Sequence, residues 1–215
     1  MKTILDSCHQ RPDVLTGDLR EDMFAAKLKA VMDKVADPVY KDPSKFWGNT
    51  FPTEGLKALL REVMGRLSGA KPTNSPFIRL ETSFGGGKTH NLIALYHLTQ
   101  CQVAGFPDGI CPKEWLPKQP WAVAGMVGNE MDPSNGLNHG TITTRTLWGE
   151  LAWQIGGEEA FKLVQSSDVD GVAPGTPVIE KLVGDRPTLV MLDEFARYLR
   201  VAKAVSTANK KSDLA

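Results

Sequence analysis

Residues 82–89 constrain this chain more than any other segment. They read Thr82-Ser83-Phe84-Gly85-Gly86-Gly87-Lys88-Thr89. A loop that wraps a phosphate must turn several backbone N–H groups inward, and such nests need residues that tolerate positive φ. Three consecutive glycines supply that freedom. The segment follows the pattern G-x-x-x-x-G-K-[ST], except that Thr82 stands where the first glycine is expected. Its surroundings matter more than this departure. Phe77–Glu81 reads as a short strand before it, and Lys88 to Gln100 as an amphipathic helix after it. The helix would offer unpaired N–H groups and its positive dipole end to an anion. Phe84, Gly85, Gly86, Gly87, Lys88, Thr89 and His90 are the expected nucleotide contacts. Lys88 would reach the β- and γ-phosphates and the Thr89 hydroxyl would ligate Mg²⁺. A packing role also suits His90.

A second motif complements the first. Leu189-Val190-Met191-Leu192 runs into Asp193-Glu194, which looks like a Walker B strand. Its end would lie beside the loop, at the carboxyl edge where open α/β sheets bind ligands. Asp193 is the expected magnesium residue. Glu194 is the expected base that orients and deprotonates the attacking water, with Lys88 as its catalytic partner. Asn129 follows the strand Trp121–Val127 and is a third strand-end candidate. His97 and His139 lack metal-ligand spacing.

Around these motifs the chain alternates strand and helix. A helix is expected over Asp18–Val35, capped by Asp18 with Glu21 and carrying Met23, Phe24, Leu28, Val31 and Met32. Tyr40–Phe51 reads as an aromatic loop broken by Pro43 and Pro52. Its Phe46, Trp47 and Phe51 suit either the core or one wall of an adenine pocket. Thr53 should cap a helix bearing Leu56, Leu59, Leu60, Val63, Met64 and Leu67, which ends near Gly69. Asn129–Gly140 reads as a polar loop. Thr144 is expected to cap a helix to Ile155, and short helices are expected at Val178–Val183 and Phe195–Ala204. The strand Thr188–Leu192 is apolar after its first residue, as for a strand covered on both faces. Strand, helix, strand, helix, strand implies a parallel α/β sheet with right-handed crossovers.

Composition narrows the class without naming a ligand. The chain is 41% hydrophobic, and 25 basic residues balance 25 acidic ones. Net charge therefore gives no pointer to nucleic acid. Arg197, Arg200, Lys203, Lys210 and Lys211 form a local basic run, better read as a solvated face than as a nucleic-acid patch. Cys8, Cys101 and Cys111 have no knuckle spacing and suit reduced thiols. No stretch reaches the ~20 apolar residues of a membrane span. A cytoplasmic protein without a membrane segment is the expectation.

Several segments together resemble one family. They are Tyr40-Lys-Asp-Pro-Ser-Lys-Phe46, Phe51-Pro-Thr-Glu-Gly-Leu-Lys57, Thr82 to His90, Thr146-Leu-Trp-Gly-Glu-Leu-Ala152 and Leu192-Asp-Glu-Phe195. They are similar to the large prokaryotic AAA-superfamily ATPases filed as domain of unknown function 499, over nearly the whole chain. The loop with Thr in place of its first Gly also looks like that family's own form. The resemblance implies an ASCE/AAA+-like P-loop fold, ATP rather than GTP, Mg²⁺, and hydrolysis. It further implies a link to DNA methylases or to anti-phage defence, DNA or a methylase as partner, and a homo-oligomer.

Three parts are expected: a helical extension over 1–72, an ATPase core over 73–205, and a polar tail over 206–215. The three strands read here fall short of the sheet that the resemblance implies. A sensor strand, an arginine finger and a helical lid would follow Ala215. The core is therefore expected to be incomplete. Two functions stand at this point: an ATPase, or a truncated nucleotide-binding or interaction module that turns nothing over.

Overall fold

The computed structural model describes residues 15–17, 25–81 and 85–212, with side chains as far as Val205. Asp18, Glu21, Met23, Phe24, Thr82, Ser83, Phe84 and Cys8 lie outside these residues, as do the side chains of Lys210 and Lys211.

The chain is a mixed α/β protein with a small parallel sheet. The helices are α1 (Leu28–Met32), α2 (Pro38–Lys41), α3 (Pro43–Gly48), α4 (Glu54–Leu67) and α5 (Lys88–Thr99). After a 3₁₀ turn at Lys113–Trp115 come β1 (Ala122–Val127), β2 (Leu137–Asn138) and β3 (Thr143–Thr144). Then follow α6 (Leu147–Lys162), kinked at the non-helical Gly156 and Gly157, α7 (Gln165–Asp170), α8 (Thr176–Val183), β4 (Thr188–Asp193) and α9 (Phe195–Ser212). β1 pairs with β4 in parallel, from Ala122 opposite Thr188 to Val127 opposite Asp193. β2 and β3 form a separate antiparallel pair.

The main core gathers α1, α3, α4 and α5 against one face of the β1–β4 sheet. On α4, Leu56, Leu59, Leu60, Val63 and Met64 are all buried. Each contributes about 1.5–3 kcal/mol relative to exposure, so this face, more than helix propensity, holds α4 in place. Thr53 caps the helix by accepting from the Leu56 N–H at 3.2 Å. Every residue of α5 from Leu92 to Thr99 is buried, which makes it the central helix. A smaller core joins Ala152 and Phe161 of α6 with Val164 and Leu182.

Several expectations need correction. Phe77–Glu81 is not a strand. Ile78 and Leu80 pack on the core while Phe77, Arg79 and Glu81 stay exposed, so the segment keeps a strand's alternation but has no ladder partner among the described residues. The sheet thus holds two strands where three were expected. Tyr40–Phe51 is not a loop, because Pro38 and Pro43 open short helices instead of breaking one. Asp42 caps α3 by accepting from Ser44 and Lys45, and proline suits the first helical position because its missing N–H is not needed there. Among the described residues, the first expected helix is reduced to α1, bounded by an extended Lys27 and by Lys34 at φ 62°.

Thr144 is not a cap; it lies in β3, and Thr146 caps α6 by accepting from Gly149. The polar loop closes into the β2–β3 pair. The polar tail is helical through Ser212. β4 is covered on one face only: Met191 is buried, but Val190 and Leu192 are 43% and 39% exposed. α5 packs across both β4 and β1, whereas α6 packs against β1.

Candidate functional site

The glycine loop runs into the start of a helix, α5. Gly85 and Gly87 take left-handed φ values of 76° and 73°, the freedom that the triplet supplies. Gly87 is the N-cap of α5. The first N–H groups of a helix have no partner within it, and Gly85, Gly86 and Gly87 are exposed. Lys88, Thr89 and His90, the first residues of α5, are half-buried.

The two motifs meet. The Thr89 hydroxyl donates to Asp193 Oδ2 at 2.7 Å, across 104 residues of sequence. Asp193 is 8% exposed, and its other oxygen accepts from the Glu194 N–H at 3.1 Å. Parallel pairing brings the ends of β1 and β4 level, and Gly128 N donates to the Asp193 carbonyl at 2.8 Å. A Cβ at Gly128 would lie 2.3 Å from the Glu194 carbonyl oxygen, so only glycine lets the two strand ends approach this closely. Glu194 itself sits at φ 48°. A non-glycine residue held there stores about 1–3 kcal/mol of strain, a condition that clusters at functional sites.

The Asn129 side-chain amide donates to Glu194 Oε2. Asn129 thus joins Thr89, Asp193 and Glu194 in one neighbourhood, with Lys88 next to Thr89 in the chain. His90 turns toward the core. Its Nε2 lies 2.9 Å from the Thr50 hydroxyl, and its ring stacks on Phe46 at 4.5 Å. Burial pushes the His90 pKa down, and neighbouring His97 adds to the effect. Phe46 and Trp47 are core residues at 1% and 3% exposure, whereas Phe51 is 81% exposed. Gly128 is the residue that sequence reasoning missed. The signal was a glycine directly after an apolar strand.

A second polar cluster lies elsewhere. Glu150 on α6 is 2% exposed. It accepts from the Thr144 hydroxyl at 2.6 Å and from Gln154 at 2.7 Å, and its Oε2 lies 2.8 Å from His139 Nε2. Gln154 in turn accepts from the Gly125 N–H of β1 at 2.8 Å. A cavity of about 520 Å³ opens here, between Tyr96, Trp121, His139, Glu150 and Trp153. None of the loop or strand-end residues lines it. The Glu150 oxygens are already occupied by protein donors, so the cavity marks a braced joint and not the chemistry. Asp168, also 2% exposed, accepts from the N–H groups of Arg145 and Thr146 and from the Thr146 hydroxyl. It ties α7 to the start of α6.

Among the described residues no helix is long and apolar enough to cross a membrane. No curated protein and no solved structure matches this chain. The family model described as the DUF499 N-terminal domain matches residues 5–105 and 124–214. The chain therefore belongs to the DUF499 family, through that family's N-terminal domain.

Proposed function

We propose that this chain is a P-loop protein that binds a magnesium–nucleoside triphosphate, ATP in the first instance, and serves as the nucleotide-binding part of an ATPase. The observation that carries the reading is the Thr89–Asp193 hydrogen bond. It joins a loop-and-helix start suited to phosphates to a carboxylate at a strand end, which is the pairing that phosphoryl transfer requires.

The roles follow from residue chemistry. Backbone N–H groups around Gly85–Lys88 would hold phosphate oxygens, and Lys88 would neutralise the β- and γ-phosphates. The Thr89 hydroxyl and the Asp193 carboxylate are hard oxygen donors of the kind Mg²⁺ takes, and both belong to one contact. Bound there, the ion would supply charge neutralisation on the phosphate oxygens. Glu194 would orient a water and accept its proton. Membership of the DUF499 family, and its likeness to ATPases encoded beside DNA methylases, extend the proposal to a DNA-linked defence system and to a homo-oligomer.

One observation favours a second reading, a module that binds nucleotide without hydrolysing it. The Asn129 amide occupies one oxygen of the Glu194 carboxylate and competes there with a water. Nucleotide titration and phosphate-release assays on the 215-residue chain, Lys88→Ala and Glu194→Gln decide the matter. The expected result is binding lost in Lys88→Ala, and binding kept with turnover at least about 100-fold lower in Glu194→Gln. Binding with no turnover above the Lys88→Ala background selects the second reading. Equal nucleotide affinity in wild type and Lys88→Ala overturns both.

A further inference from the structure

We infer that Phe51 is the platform on which the base of the bound nucleotide stacks, an inference that rests on the phosphate site proposed above. Phe51 is 81% exposed, although burying such a ring is worth about 1.5–3 kcal/mol. Its position is tied to the phosphate helix through the residue before it. Thr50 is buried, donates its hydroxyl to the Phe46 carbonyl at 2.6 Å and meets His90 Nε2 at 2.9 Å. His90 stands two residues after Lys88 on α5, and the Phe46 ring stacks on it.

The backbone of Phe51 is clamped from the other side as well. Its carbonyl accepts from the Thr53 N–H at 2.9 Å, Thr53 caps α4, and Pro52 restricts the residue before it to extended conformations. The backbone that carries the ring is thereby tied to His90 on α5, while the ring itself stands in solvent, open to a flat partner. Phe77 is 74% exposed too, but it opens the segment that runs to the loop, up to about 16 Å upstream of residue 82 at strand spacing. The His90–Thr50 tie selects Phe51.

A single ring reads the face of a base and not its edge, so the platform accepts any nucleobase. It gives the site a preference for nucleotides over bare polyphosphate. Calorimetric titration of the 215-residue chain with Mg²⁺ and ATP, GTP or inorganic tripolyphosphate tests this, using wild type, Phe51→Ala, Phe51→Trp and Phe77→Ala. Phe51→Ala should weaken ATP and GTP alike by about ten-fold, the scale of one base–aromatic stack. Its tripolyphosphate affinity and thermal midpoint should match wild type. Phe51→Trp and Phe77→Ala should keep ATP affinity. Unchanged ATP binding in Phe51→Ala, or an equal loss for tripolyphosphate, overturns the platform and leaves the phosphate site standing. Failure of wild type to bind any of the three removes the phosphate site and the platform with it.

Discussion

Two buried carboxylates at different places in this protein have opposite designs. Glu150 is surrounded by donors, with Thr144, His139 and Gln154 at its oxygens. Asp193 receives the Thr89 hydroxyl and one backbone N–H, beside a glycine loop whose residues are exposed. A buried carboxylate costs free energy unless it is hydrogen-bonded. Full saturation by protein groups makes a joint, whereas partial saturation at an open strand end leaves capacity for a ligand. Burial alone does not separate the two, because both are nearly inaccessible.

Exchanging the perturbations tests this contrast most strongly. Asp193→Ala should reduce magnesium-dependent nucleotide binding or turnover by about 100-fold or more, the scale of losing an electrostatic group at a reacting centre. Its thermal midpoint should change little. Glu150→Ala should do the reverse. It orphans the Thr144, His139 and Gln154 groups in a buried place and should cost about 2–4 kcal/mol in urea denaturation. Nucleotide affinity of the folded fraction should stay at the wild-type value. If Glu150→Ala instead removed binding without loss of stability, the joint would be a site.

Asp168→Ala should cost about 1–3 kcal/mol by releasing the N–H groups of Arg145 and Thr146, again with binding unchanged. The histidines of the main core give a further test. Burial lowers the His97 pKa below its ordinary 6.5, against the raising effect of Gln102 and Tyr40. Burial likewise lowers that of His90. The unfolded chain then takes up protons that the folded chain resists. Stability should be complete above about pH 6.5 and fall as the pH drops toward 5. Urea midpoints at pH 7.5, 6.0 and 5.0 check the direction, and His97→Gln should flatten the slope. The smallest expected effect is at Asn129. Asn129→Ala frees the Glu194 carboxylate and should raise phosphate release a few-fold, the size of one lost hydrogen bond. A fall in turnover would assign Asn129 to the water or the phosphate instead.

Much of the candidate site's local geometry was legible because its residues belong to short contiguous motifs. Gly85–Thr89 specifies a helix start through glycine conformational freedom, and Leu189–Asp193 specifies a strand by apolar continuity. The α4 face was legible for a related reason, since helical periodicity is local. The aromatic segment Tyr40–Phe51 was misread because proline both ends and begins helices, and the capping role of Asp42 decides which. Thr144 and Thr146 are equivalent as capping residues in sequence. Only the β2–β3 pairing, which draws Thr144 to Glu150, separates them.

The sequence by itself determined the family, the mixed α/β class, the turn of the glycine loop and the identity of the acidic strand end. Each depends on residues close together in the chain. The tertiary structure decided which distant groups meet: Thr89 with Asp193, Asn129 with Glu194, and His90 with Thr50 and Phe46. It also decided that Phe77–Glu81 has no ladder partner among the described residues, that Gly128 must be glycine, and that Phe51 stands in solvent while Phe46 is buried. The physical reason is that a ladder, a close approach and an exposure each depend on a second segment. No local pattern carries the position of that segment.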